Sequence, residues 1–208
     1  GIFCNDYIHV IKGTLAVNVS AKNAIGSVNG FIFDDGALTI KATGTTVDDE
    51  SKGIKVDGAD TAAGAGLGFI IFNGGTIDIT SVSKAISAAW DIDEDASTTV
   101  TATDPSPYVL INDGTFTLTT TGTSYETNTS AGVTLSCSPE GIEGKSSVTI
   151  NGGTFTINTA DDCLNAGDNI TINGGRLYCR STSNDAIDSN GTLSINGGVI
   201  VAIGADAP

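Results

Sequence analysis

The sequence predicts an all-β fold: a single-stranded, right-handed parallel β-helix of about seven coils. Three observations predict it. A ten-residue segment recurs along the chain, it is centred on a Gly turn, and apolar residues alternate strictly on both sides of that turn. The closest copies are residues 148–157 (VTINGGTFTI), 170–179 (ITINGGRLYC) and 193–202 (LSINGGVIVA). Earlier copies are 109–118 (VLINDGTFTL) and 70–79 (IIFNGGTIDI), with looser ones at 31–40 (FIFDDGALTI) and 8–17 (IHVIKGTLAV).

The shared Gly falls at 13, 36, 75, 114, 153, 175 and 198, at intervals of 23, 39, 39, 39, 22 and 23. Alternation on both sides of a Gly means two short strands joined by a tight corner, here named A (before the turn) and B (after it). A third element, strand C, stands between copies: Ala24-Ile25, Gly53-Ile54, Ala85-Ile86, Gly141-Ile142, Cys163-Leu164 and Ala186-Ile187. Three short strands per ~22 residues cannot close a hairpin sheet, and no helical period occurs. One coil per repeat, paired with the coils above and below, buries every inward Ile, Val, Leu and Phe. A crossover between parallel strands of one sheet is right-handed almost without exception. The chain reads as a single domain, 1–208, with loop insertions near 41–51, 57–68, 88–107 and 119–139. All of these flank strand C and none interrupts the A–B corner. Insertions in solenoids collect on one face, often the binding face, so the stacked C strands are expected to floor a groove walled by loops. The chain ends just after Ile203 with no polar cap, so further residues or a partner are expected over that end.

Composition narrows the function. Apolar residues are 39% of the 208, and Gly, at 27, is about twice its usual ~7% share. The net charge of −15 excludes nucleic acid as a partner, because no basic stripe exists to displace phosphate counterions. The same charge attracts divalent cations. One His and four Cys without CxxC or HxxxH spacing argue against zinc. No apolar run is long enough to span a membrane as a helix. The chain has no Met, so it is read as a mature fragment whose targeting segment has been removed. Abundant Thr, Asn, Gly and Asp with scarce Lys suit a secreted or cell-surface protein.

The recurring pattern, Asp/Lys-x-Ile followed by Ile-x-Ile-Asn-Gly-Gly-Thr-Phe-x-Ile, resembles a bacterial carbohydrate-binding β-helix family. It is similar to the clostridial cellulose- and pectin-binding β-helix proteins with a pectate-lyase-like fold. The resemblance runs from about Ile8 to Ala205. Membership implies a calcium-binding, non-catalytic surface protein that holds plant or host polysaccharide. That family pairs acids before the short strand, a pattern matched here by Asp161-Asp162, whereas Lys52 and Lys84 depart from it.

The residues themselves supply the candidate sites. The Asn column (Asn73, Asn112, Asn151, Asn173 and Asn196, with Asp34 in one copy) reads as a structural ladder, since Asn can bond the Asn at the same register in the next coil. An acidic column flanks strand C in the last three coils: Glu140, Glu143, Asp161, Asp162, Asp185 and Asp188, with Asn165 and Asp168 nearby. Neighbouring coils lie ~4.8 Å apart, so Ca2+, which takes six to eight oxygens, can sit between two such carboxylates. Asp91, Asp93 and Asp95 form a second candidate loop, with Ala96 where an EF-hand needs Gly. Asp48, Asp49, Glu50, Asp57 and Asp60 are a third. Trp90, the only Trp, opens an insertion on the groove side and can act as a sugar platform or pin its own loop. Tyr108 is a weaker version of the same case. Lys55, Lys84 and Lys145 are candidate ligand-binding cations, although for the early-coil lysines charge balance, such as Lys84 against Glu140, is the preferred reading. Arg176 points away from the groove and His9 is assigned no role. Cys179 reads as a buried thiol and Cys163 as outward-facing, and the four Cys leave three pairings open.

The function expected from this reading is a non-catalytic, calcium-binding, polysaccharide-binding protein with its glycan, neutral or uronic-acid, on the short-strand face. A calcium-dependent lyase acting on uronic-acid polymers, with Lys145 as base, is the first alternative. A structural or adhesin repeat is the second.

Overall fold

A computed structural model describes residues 1–45, 51–58, 68–89, 107–128 and 134–205. Trp90, Asp91, Asp93, Asp95, Asp48, Asp49, Glu50 and Asp60 lie outside these residues. All regular structure among the described residues is β, in three parallel sheets of seven strands and one antiparallel pair. The short C strands stack in the first sheet from Ile2–Cys4, through Ile25–Ser27, Ile54–Val56, Ile86–Ala88, Ile142–Gly144 and Leu164–Ala166, to Ile187–Ser189. The A strands, from Tyr7–Val10 to Leu193–Ile195, make the second sheet, and the B strands, from Thr14–Val19 to Val199–Ile203, make the third. Each sheet therefore takes one strand from every coil, and the chain is a right-handed parallel β-helix of seven coils.

The A–B corner is tight because its Gly adopts a conformation that side chains disfavour. All seven corner glycines have φ between 85° and 134°. Crowding between coils adds to this, since a Cβ on Gly175 would stand 2.8 Å from the Gly153 carbonyl oxygen. Beside the glycines runs the Asn ladder. Asn73 donates to Asp34 (2.7 Å), Asn112 to Asn73 (2.7 Å), Asn151 to Asn112 (2.8 Å), Asn173 to Asn151 (2.8 Å) and Asn196 to Asn173 (2.7 Å). His9 extends the row, with Nε2 at 2.7 Å from Asp34 Oδ2, a partner that the sequence reading did not give it.

Inside, alternation places one residue in two of each A and B strand in a continuous core. Phe72 packs edge-on against Phe116 (centroids 5.1 Å apart, 86°), and Phe116 lies flat on Phe155 (4.7 Å, 8°). At the last coil the inward positions lose their cover, leaving Leu193 and Ile195 43% and 55% exposed. Within the 119–139 insertion, Tyr125–Asn128 pairs antiparallel with Thr134–Cys137, a hairpin absent from the sequence reading. Cys163 is corrected from outward to fully buried. It stands at a corner, where the chain bends and the two-residue alternation that assigns strand faces does not apply.

Stability is expected to follow the stacking. Phe116→Ala should cost about 3–5 kcal/mol through the lost rings and the cavity left behind. Asn112→Ala, which deletes two ladder hydrogen bonds at the surface, should cost about 1–2 kcal/mol. Urea unfolding of both variants beside the parent checks the ranking.

Candidate functional site

The first sheet carries its chemistry in two columns that register pairing defines. The outward middle residues of the C strands run Phe3, Gly26, Lys55, Ser87, Glu143, Asn165 and Asp188. Three residues upstream stand Asn23, Lys52, Lys84, Glu140, Asp162 and Asp185, whose carbonyls from Lys52 to Asp162 accept hydrogen bonds from the preceding coil. The pairing and spacing agree with the order read from the sequence.

The middle of this face is closed. Ser87, Lys84, Glu140 and Glu143 are each at most 4% exposed, although they point out of the coil. Lys84 Nζ lies 2.9 Å from Glu140 Oε2 and 3.4 Å from Glu143 Oε1, and Lys145 Nζ lies 3.1 Å from the same Glu143 oxygen. Ser87 donates to Glu143 Oε2 at 2.6 Å, and Asn165 to Glu140 Oε1 at 3.1 Å. Burial pushes Glu140 up to about 8, against the pull of Lys84. Burial also acts to raise Glu143, but Lys84, Lys145 and Lys52 together outweigh it and hold Glu143 well below the usual carboxylate range. The expected open groove is therefore, over these coils, a buried ion-pair network. Lys84 spends its ammonium on two carboxylates, and Lys145 is half-buried and tied to one of them.

Toward the C-terminal end no ion pair among the described residues engages the acids. Asp161 accepts from Ser124 (2.8 Å) and Asn184 (2.7 Å). Asp162, 3% exposed, takes a long contact from Asn165 at 3.4 Å on Oδ2 and is approached by the Asp185 backbone N–H, while its buried Oδ1 has no side-chain partner among the described residues. Burial first, then the charges of Asp161, Asp188 and Asp185, push Asp162 up to about 7. An orphaned carboxylate oxygen beside three other aspartates is chemistry that fits a hard cation. No group of three or more His, Cys, Asp or Glu side chains among the described residues is arranged as a metal site.

At the opposite end the face opens. Gly26 interrupts the outward column between Phe3 and Lys55, and a Cβ there would meet the Phe3 ring at 3.1 Å. The missing side chain leaves a hollow of ≈ 220 Å³, lined by Phe3, Lys22, Asn23, Gly26, Lys55 and Asp57. Phe3 is 65% exposed, and Lys55 is held upright by Asp57 at 2.6 Å. On the adjoining sheet Tyr108 and Phe69 are paired in register and stacked, with centroids 6.3 Å apart at 29°, both half-buried. Phe3 and Phe69 are the aromatic residues that sequence reasoning missed. Phe69 shares the register of Tyr108 one coil earlier, which was the available signal, whereas Phe3 lies before the first repeat copy.

These features define a β-solenoid module with a small aromatic and cationic hollow at one end of its short-strand face. The profile of a family described as carbohydrate-binding domain-containing protein matches residues 1–184, and the chain belongs to that family. No curated protein and no solved structure matches the chain. No helix among the described residues is long and apolar enough to cross a membrane.

Two outcomes follow from the charges. Lys84→Met should destabilise by about 3–5 kcal/mol, because it strands buried carboxylates, and adding Glu140→Gln and Glu143→Gln should recover most of that loss. Thermal melts of the single and triple variants check this. Asp162 behaves oppositely to a salt-bridged acid. Its folded-state pKa lies above the ordinary 3.8, so its favourable contribution is complete below that pH and fades as pH rises toward about 7. In chelator, the melting temperature of Asp162→Asn should therefore gain on the parent across that interval and level off above it.

Proposed function

We propose that the chain is a non-catalytic polysaccharide-binding module acting outside the bacterial cell, with its glycan seated in the hollow at Phe3, Gly26 and Lys55. The hollow carries the reading. Phe3 offers an apolar ring to the face of a sugar, while Lys22, Asn23 and Lys55 offer polar groups to its hydroxyls or to a uronate carboxylate. The Phe69–Tyr108 stack on the adjoining sheet is a second aromatic surface available to a longer ligand. At a net charge of −15 most of the surface repels an acidic chain, so the local ammonium groups are what favour one here.

Calcium belongs to this proposal at the C-terminal acids. Asp162, with Asp161, Asp185 and Asp188, would hold it, and the ion would supply the positive charge that Lys84 supplies two coils earlier. The lyase alternative needs a free base beside the metal. The ion pairs that engage Lys84 and Lys145 favour binding over catalysis.

The test is a glycan array spanning neutral β-glucans and polygalacturonate, run with calcium and with chelator, followed by calorimetry on the hits. Phe3→Ala should weaken binding at least tenfold, about 1.4 kcal/mol, without changing the melting temperature. Calcium should raise the melting temperature of the parent at pH 8 and leave Asp162→Asn unmoved. Release of unsaturated uronate products that stops on Lys145→Ala, with binding retained, would establish the lyase instead.

A further inference from the structure

None of the four cysteines is in a disulfide; Cys4 is half-buried, while Cys137, Cys163 and Cys179 are buried. Their spacing leaves three pairings open, and the geometry of the coil selects one. In two earlier coils the corner residue just before the C-strand aliphatic faces inward, against the second inward residue of the B strand. On Gly53 a Cβ would stand 2.6 Å from Ile79 Cγ2, and on Gly141 it would stand 2.6 Å from Ile157 Cγ2. One coil further on, these two positions are Cys163 and Cys179. Ile142 pairs with Leu164, which brings 141 and 163 to one register, and Ile157 pairs directly with Cys179.

The side chains follow the backbone. Cys163 Sγ lies 3.3 Å from Thr159 Oγ1 and 3.7 Å from the Ile157 carbonyl oxygen, so it is aimed inward at the B strands. The two thiols influence each other, which holds Cys163 below the ordinary thiol range and pushes Cys179 above it. Other coils fill this contact with Gly and Ile, Ala and Leu, or, at Ala186 and Ala202, two alanines. This coil fills it with two sulfurs.

We propose that Cys163 and Cys179 are a disulfide-forming pair that cross-links one coil to itself when the chain folds in the presence of a small-molecule disulfide. The thiolate of one cysteine attacks a disulfide such as oxidised glutathione, forming a mixed disulfide and expelling one glutathione thiol. The second cysteine's thiolate attacks the protein sulfur of that mixed disulfide, forms the Cys163–Cys179 bond and expels the second glutathione thiol. The protein gives up two electrons and two protons, and the glutathione disulfide takes both. Because both sulfurs are fully buried, exchange occurs while the coil is forming or opened, and the closed bond is then shielded from reductant.

The experiment is refolding of the denatured chain with oxidised and reduced glutathione, then alkylation in denaturant and tryptic mapping. Cleavage after Lys145, Arg176 and Arg180 separates the two cysteines, so the bond joins residues 146–176 to residues 177–180. The expected result is a fall from four alkylatable thiols to two, with that joined peptide lost on reduction. A Cys4→Ala, Cys137→Ala double variant should still lose both remaining thiols. Cys163→Ala and Cys179→Ala, which copy the alanines of the last coil, should each keep three. Four thiols after oxidative refolding, a stable glutathione adduct, or a bond that includes Cys4 or Cys137 would overturn the proposal.

Discussion

In-register pairing of each coil with the next places every side chain beside the residue at the same position one turn on, about 4.8 Å away. That spacing forces like to meet like. For apolar and amide groups the result is favourable, and the chain repeats them: the Phe72, Phe116 and Phe155 rings inside, and the Asn row from Asn73 to Asn196 outside. For charges it is unfavourable, because two carboxylates at one register repel each other and gain nothing from alignment. The distribution of charge along the short-strand face follows from this one constraint.

Over the middle coils the conflict is eased where the column changes sign, from Lys84 to Glu140. Glu143 joins them, all three are buried, and half-buried Lys145 completes the network. Over the last coils the column offers Asp162 and then Asp185, and burial, reinforced by the neighbouring acids, makes Asp162 hold its proton more tightly. Over the first coils the column is broken by Gly26, which replaces repulsion with empty space beside an aromatic ring. Three stretches of one face thus differ in character: an ion-paired middle, an acidic end, and a hollow beside an aromatic ring. The family assignment gives the ligand class; its seat in the hollow is the reading proposed above.

Much of the architecture was legible without coordinates. The seven Gly corners, the A, B and C strands, their register and the Asn ladder all follow from local chemistry repeated at a fixed interval. Repetition makes a sequence readable, since each coil is checked by its neighbours. The candidate site was legible only as a set of columns. Lys84, Glu140 and Glu143 were placed at the correct registers, yet nothing in their spacing told whether they faced solvent. Cys163 illustrates the same limit at a corner, where no alternation assigns a face.

The sequence by itself determined the fold class, the number of coils, the order of residues along each face and the adjacency of Lys84 to Glu140. Only the tertiary structure decided which outward residues are buried, that His9 caps the Asn row at Asp34, that Gly26 opens a hollow beside Phe3, and that Cys163 meets Cys179. The reason is the range of the interactions. Coil-to-coil pairing is periodic and leaves a period in the sequence. Burial of an outward face depends on chain that crosses it from insertions, and the meeting of a corner with a strand depends on how sharply the coil bends, and neither leaves a period to read.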